Sequence, residues 1–235
     1  MESTKLVLEV LRGGEILPET RSLLFADGRL WYEWWKRKRT LPGGNEMSPE
    51  EVARSLGVSP VRFTRSWRTL VEGIDEHSTN DSGRRWIFGT NEQQLEAVWT
   101  VGPDGDYWQT EYPVKTEADL DTLIDWLESR RFESYGGLYD EASADDDVLN
   151  VIALPSRPFA WLMLEILGWS EGLLLLMDAE EKIRHALSIA EKQVDQIVES
   201  ICNDQIPRVL LSPDNLDAHF VSPGYFDTYL AESYT

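Results

Sequence analysis

Val148-Leu149-Asn150-Val151-Ile152-Ala153-Leu154-Pro155-Ser156-Arg157-Pro158 is a nearly continuous apolar run that stops at two prolines enclosing a serine and an arginine. A strand with apolar side chains at successive positions has to bury both faces, as strands of parallel sheets do. A second run, Arg208 to Leu211, ends in a similar way at Ser212-Pro213-Asp214-Asn215. From residue 148 onward the order reads strand, helix, longer helix, strand, helix, with Ser222-Pro223 opening the last helix. That alternation predicts an α/β architecture with parallel strands, and such folds keep their chemistry at the carboxyl ends of the strands.

Outward from this stretch, helix starts are marked by a capping side chain followed by acids, an arrangement that satisfies the free N–H groups of a first turn. Asp178-Ala179-Glu180-Glu181 opens the longest helix, to about Cys202, with Ile183, Leu187, Ala190, Val194, Ile197, Val198 and Ile201 at helical spacing; that stripe reads as core. Thr116-Glu117-Ala118-Asp119 opens a helix with Leu120, Leu123, Ile124 and Leu127 on one face, and Ser48-Pro49-Glu50-Glu51 a short one ending near Gly57. Alternation over Gln94 to Thr100, the turn Gly102-Pro103-Asp104-Gly105 and Tyr107 to Tyr112 predict a surface β-hairpin, at about 92–112, outside the main sheet. The expected organisation is an N-terminal helical and hairpin region over 1–134, an acidic connection over 135–147 and βα units over 148–235.

The chain has 235 residues with 22 Lys and Arg against 42 Asp and Glu, a formal charge of −20. Such a balance argues against a nucleic-acid or anionic-membrane partner, since both need a basic face. Residues 1–70 nevertheless carry 12 basic and 9 acidic side chains, and the run Lys36-Arg37-Lys38-Arg39 follows Trp31, Tyr32, Trp34 and Trp35. It reads as the solvated face of an amphipathic helix, with stacking on nucleic acid or an anionic small molecule as the alternatives. A single cysteine, Cys202, excludes an internal disulfide and reads as packing; with an N-terminus unlike a signal peptide and no long apolar span, a cytoplasmic protein is expected.

Candidate site residues sit after the two apolar runs. Asp214, the expected catalytic residue, can accept a hydrogen bond from a pyrrole or amine; its ordinary alternative is a turn or cap. Asn215 can offer an amide to the same ligand, and Arg157 can pair with a carboxylate or phosphate or simply anchor its loop. Ser156 is a weaker substrate contact that doubles as an N-cap, and His219 lies five residues beyond Asp214. His77, in the polar stretch Glu76 to Arg85, and His185 have no ligand-like neighbours, so no metal set stands out.

Leu154-Pro155-Ser156-Arg157-Pro158-Phe159, the helix ending at Leu167-Gly168, Leu173 to Met177 with Asp178, Leu211-Ser212-Pro213-Asp214-Asn215-Leu216 and Ser222-Pro223-Gly224-Tyr225-Phe226 together resemble the uroporphyrinogen decarboxylase (URO-D) superfamily. The likeness is greater to its divergent members, which include corrinoid-dependent methyltransferases. Trp31-Tyr32, Lys36 to Pro42, Met47 to Gly57 and Tyr112-Pro113-Val114-Lys115-Thr116-Glu117-Ala118-Asp119 keep the same order, so the resemblance covers most of the chain. It implies a TIM-barrel-like (β/α) fold with a small-molecule substrate at the strand ends. Only the first βα units would lie in this chain, leaving the barrel incomplete, as in a fragment or a protein completed by another chain or copy.

The implied activity is decarboxylation of a tetrapyrrole or corrinoid-linked methyl transfer. No cofactor is identifiable in the chain. Zinc or a corrinoid would enter with methyl transfer, the zinc-binding His and Cys of that branch lying in the half beyond Thr235. The decarboxylase branch's arginine-rich motif and Phe-Ser-Asp-type segment lack a counterpart here, Leu24-Phe25-Ala26-Asp27 being only a local match. The alternative expectation is a truncated, non-catalytic subunit that docks another chain at an open sheet edge.

Overall fold

The computed structural model describes residues 8–14, 50–51, 54, 60–103, 105–135, 148–204, 209–214 and 221–234. Among them run strands β1 (Val61–Thr64), β2 (Trp67–Leu70), β3 (Ile74–Asn80), β4 (Gly83–Gly89), β5 (Gln94–Val101), β6 (Tyr107–Glu111), β7 (Arg131–Ser134), β8 (Leu149–Ala153) and β9 (Val209–Leu211). The helices are α1 (Glu117–Ser129), α2 (Pro158–Trp161) continuing as a π turn Leu162–Ile166, α3 (Trp169–Asp178), α4 (Glu180–Asp204) and α5 (Pro223–Tyr225). The last continues through a π turn, Phe226–Leu230, and a 3-10 turn, Ala231–Tyr234. The fold is mixed α/β with parallel and antiparallel sheets, and the described residues form no closed barrel.

Two compact units share the chain. The first takes Met1–Ser66, Tyr135–Ala153 and Ile201–Leu211. Its sheet has the order β1-β8-β9, all parallel, with Val61 opposite Leu149 and Val151 opposite Val209. Leu149, Asn150, Val151 and Ile152 of the central strand are all buried, the environment that an unbroken apolar run requires. Leu149 and Val151 share a face with Val61 and Val209, and Leu8, from a helical stretch at 8–11, packs on it. Residues 50, 51 and 54 are helical; the rest of the helix expected over 48–56, the basic run at 36–39, Leu24 to Asp27 and the connection over 136–147 lie outside the described residues.

The second unit takes Trp67–Ser134, Leu154–Ser200 and Ser212–Thr235. It is built on an antiparallel sheet, β3-β4-β5-β6, with a separate antiparallel pair, β2-β7. The hairpin of β5 and β6 is therefore half of a four-stranded sheet, and the polar stretch from Glu76 to Arg85 is itself a hairpin. Its turn closes because Asn80 Oδ1 accepts from the N–H groups of Ser82 (2.9 Å) and Gly83 (3.1 Å). The inner face stacks Trp86 on Phe88 at 4.1 Å and sets both against Trp126 of α1. Thr116 and Asp119 form the reciprocal capping box of α1, whose Leu120, Leu123, Trp126 and Leu127 are buried.

Leu162, Met163, Ile166 and Leu167 of the π turn and its exit, with Ile183, Leu187 and Ala190 of α4, complete this core. Asp178 ends α3 and does not cap α4; the carbonyl of Ala179 accepts the first bond of α4, from Ile183 N–H at 3.1 Å. Cys202 is exposed, not packed. Gly168 turns the chain between the π turn and α3 at φ +72°, and a Cβ there would lie 2.7 Å from the ring of Tyr112. No single helix among the described residues is long and apolar enough to cross a membrane; the pair Pro158–Ile166 and Trp169–Asp178 passes such a test only jointly, across a 114° bend.

Arg130, 9% exposed, is the buried charge of the unit. Its guanidinium lies over the rings of Trp126 (4.9 Å), Phe132 (4.9 Å) and Trp161 (5.0 Å), favourable cation–π geometry in a desolvated place. Burial pulls its pKa down to about 9 against the attraction of Asp75, so the charge persists at neutral pH. Gln193 holds it from the side: Arg130 Nε donates to Gln193 Oε1 (2.9 Å), while Gln193 Nε2 donates to the carbonyls of Leu127 (2.6 Å) and Arg130 (2.7 Å).

Gln193→Ala strips this bracing from a buried cation and should lower the unfolding free energy by about 2–4 kcal/mol. Gly168→Ala, strained and overpacked at once, should cost about 2–4 kcal/mol. Urea denaturation followed by tryptophan fluorescence checks both, and a loss under about 0.5 kcal/mol in either variant would contradict the packing described.

Candidate functional site

Within the second unit, two proline-bracketed loops meet. Arg157 precedes Pro158, which holds it extended (φ −58°, ψ 136°) and makes it the N-cap of α2 without a side-chain capping bond. Its N–H donates to the carbonyl of Pro213 at 2.9 Å. The residue before Asp214 is thereby tied to the one after Ser156. The side chains then converge on Tyr234: its hydroxyl donates to Asp214 Oδ2, and the Arg157 guanidinium lies 5.0 Å from its ring centre.

Two buried donors beside this junction lack a partner among the described residues. They are Arg157 Nε and Ser212 Oγ. A buried donor without a protein acceptor costs about 1–3 kcal/mol unless a water or a ligand group satisfies it.

Glu191 of α4 extends the cluster. Half-buried, it accepts from Ser233 Oγ at 2.6 Å. Burial is the main cause raising its carboxyl above the ordinary 4.5; the Ser233 bond and Arg157 oppose that, and Asp195 and Asp214 add to it. Tyr234 is raised by burial and by its bond to Asp214, and so remains a donor. Glu191 also lines a cleft of about 430 Å³ with Arg184, Leu187, Lys192, Tyr229 and Ser233. Asp214 and Ser156 line a smaller one, about 130 Å³, with Trp161, Glu165 and Pro213. Burial raises the Glu165 carboxyl too, although the residue as a whole is exposed.

Of the residues expected from sequence, Arg157 and Asp214 come together on Tyr234, and Ser156 lines the cleft beside Asp214 without capping α2. Asn215 and His219 lie outside the described residues. His77 is elsewhere, 3.4 Å from Asp75 and stacked on Trp86, and His185 lies 3.8 Å from Glu128. Glu191, Glu165 and Tyr234 went unnoticed. A signal for Glu191 existed: it falls four residues after Leu187 and three before Val194, an acid inside an apolar stripe. Tyr234 had none. Among the described residues no group of His, Cys, Asp and Glu has the arrangement to hold a metal, so no metal-dependent step is derived.

The arrangement can bind a ring that carries a donor for Asp214 and an anionic group for Arg157. Comparison with known proteins returns no match among family models, curated proteins or solved structures.

Because the folded state raises Glu191, it binds more protons than the unfolded chain between the two pKa values. The contribution of Glu191 is therefore fully present below about 4.5 and is lost as pH rises through the folded value. Glu191→Gln keeps an acceptor for Ser233 and removes the titration. Chemical denaturation from pH 4 to 7 should show the wild-type chain losing stability relative to this variant, and parallel curves would contradict the assignment.

Proposed function

We propose that the chain is a URO-D-like protein carrying the first part of a TIM-barrel-like (β/α) fold, and that it binds a tetrapyrrole at the junction of the loops after β8 and β9. The observation that carries this reading is the convergence of Arg157 and Asp214 on one aromatic ring, with the Arg157 Nε still lacking an acceptor. In this reading Asp214 accepts a pyrrole N–H, Arg157 pairs with a ring carboxylate, and Ser156 lines the entrance. Asn215 and His219 are proposed as further substrate contacts, as the resemblance implies. The parallel order β1-β8-β9 is consistent with such a fold.

Decarboxylation suits this geometry better than methyl transfer. A cation for a ring carboxylate and a carboxylate for the ring N–H hold the substrate in place. Methyl transfer would need a corrinoid partner and zinc, whose ligands the resemblance does not place among these residues.

A second reading, an interaction subunit, draws on the parallel sheet. β1 and β9 each have one neighbour among the described residues, and Phe63 and Leu211 are each 41% exposed. Here another chain or a second copy would extend the sheet. Light scattering separates the two readings, since an interaction subunit self-associates or captures a partner whereas the enzyme reading stands on ligand binding.

Titration with uroporphyrinogen under reducing conditions, read by tryptophan quenching, should saturate for the wild-type chain. Arg157→Met and Asp214→Asn should each weaken binding by roughly 10- to 100-fold, the worth of one charge-assisted hydrogen bond. Equal affinity in all three proteins would remove these residues from the site.

A further inference from the structure

Tyr234 is 43% exposed, so burial of its ring does not explain where it lies. What it touches does. Its hydroxyl is on Asp214 and its ring is under Arg157, so one side chain takes both groups to which the preceding section gives a ligand. A phenol is an aromatic ring with a hydrogen-bond donor at its edge, the same pairing of features that a pyrrole presents.

The segment that delivers Tyr234 changes character just before it. The π turn Phe226–Leu230 is anchored: Leu230 is buried, Tyr229 stacks on Phe159 at 5.4 Å, and its hydroxyl donates to Glu180 at 3.2 Å. The 3-10 turn Ala231–Tyr234 that follows buries no residue; Ser233 bonds Glu191 and Tyr234 stacks on Phe226 at 6.0 Å, besides its contacts with Asp214 and Arg157. A switch of helix type at 230/231 separates a turn that buries Leu230 from one that buries no residue, so the Tyr234 side chain can turn outward without disturbing the core.

Tyr234 also leaves the site incompletely satisfied. It has no anionic group, and Arg157 Nε remains buried without an acceptor.

We infer that Tyr234 is an internal occupant of the ligand site, a self-inhibitory contact displaced by a ligand whose ring carries both an N–H or O–H donor and a carboxylate. This rests on the reading of Arg157 and Asp214 as ligand contacts. Displacement makes the observed affinity the intrinsic one reduced by the fraction of chains in which Tyr234 has left the site. Removing the tyrosine removes that reduction.

The test compares the wild-type chain with Tyr234→Ala and Tyr234→Phe in the uroporphyrinogen titration, with thermal melts alongside. Binding at least tenfold tighter in Tyr234→Ala, with a smaller gain in Tyr234→Phe, is expected. Unchanged or weaker binding in both variants, with saturable binding by the wild-type chain, overturns the inference and leaves the ligand-site reading standing. If Tyr234→Ala does not fold, Tyr234→Phe decides: it frees Asp214 Oδ2 while keeping the ring, and no gain there overturns the inference. No binding by any of the three proteins overturns both.

Discussion

The site depends on one backbone hydrogen bond, from the N–H of Arg157 to the carbonyl of Pro213. Fifty-five residues of chain lie between the two, and the entropy of closing a loop that long grows only slowly with its length. Proline supplies the rest of the constraint. Pro158 restricts Arg157 to extended backbone, so its N–H points out of the coming helix, and Pro213, with no N–H of its own, enters the pair only as an acceptor. With the backbones tied, Arg157 and Asp214 reach the same aromatic ring from two loops, and neither needs a long or flexible approach.

Behind this junction stands a rigid aromatic core. Trp161 belongs to α2, which begins at Arg157, and its ring lies against the Arg130 guanidinium; the same guanidinium meets Trp126 and Phe132. Gln193, two residues after Glu191 on α4 and so on nearly the opposite side of that helix, braces it. A buried cation of this sort contributes little net stability, because desolvation offsets its attractions, but it penalises every arrangement that leaves it unpaired. The geometry of the site thus inherits the packing of Arg130, and Gly168 fixes how the chain leaves the π turn that follows Trp161.

Strong local signals were legible without coordinates. The capping box at Thr116 and Asp119, the apolar stripe of α4, the β5–β6 hairpin and the buried strand β8 all rest on a periodicity or a cap that needs no distant partner. The four-residue strands β1, β2 and β7 are too short to show a period. β3 was hidden by chemistry: half-buried Asp75 accepts from Trp86 Nε1 at 2.6 Å, and exposed His77 stacks on the same indole. A polar residue facing a core through a tryptophan N–H leaves no hydrophobic alternation to read. In the site, Arg157 and Asp214 were visible as polar residues following apolar strands. Glu191 and Tyr234 join them through tertiary packing alone.

A through-bond NMR experiment addresses the tie between the loops most directly. In deuterated, isotope-labelled protein, a scalar coupling across the hydrogen bond should correlate the Arg157 amide nitrogen with the Pro213 carbonyl carbon, and the Arg157 amide should be protected from solvent exchange. A correlation from Arg157 to a different carbonyl, or an Arg157 amide exchanging at the rate of an unstructured chain, would contradict the account.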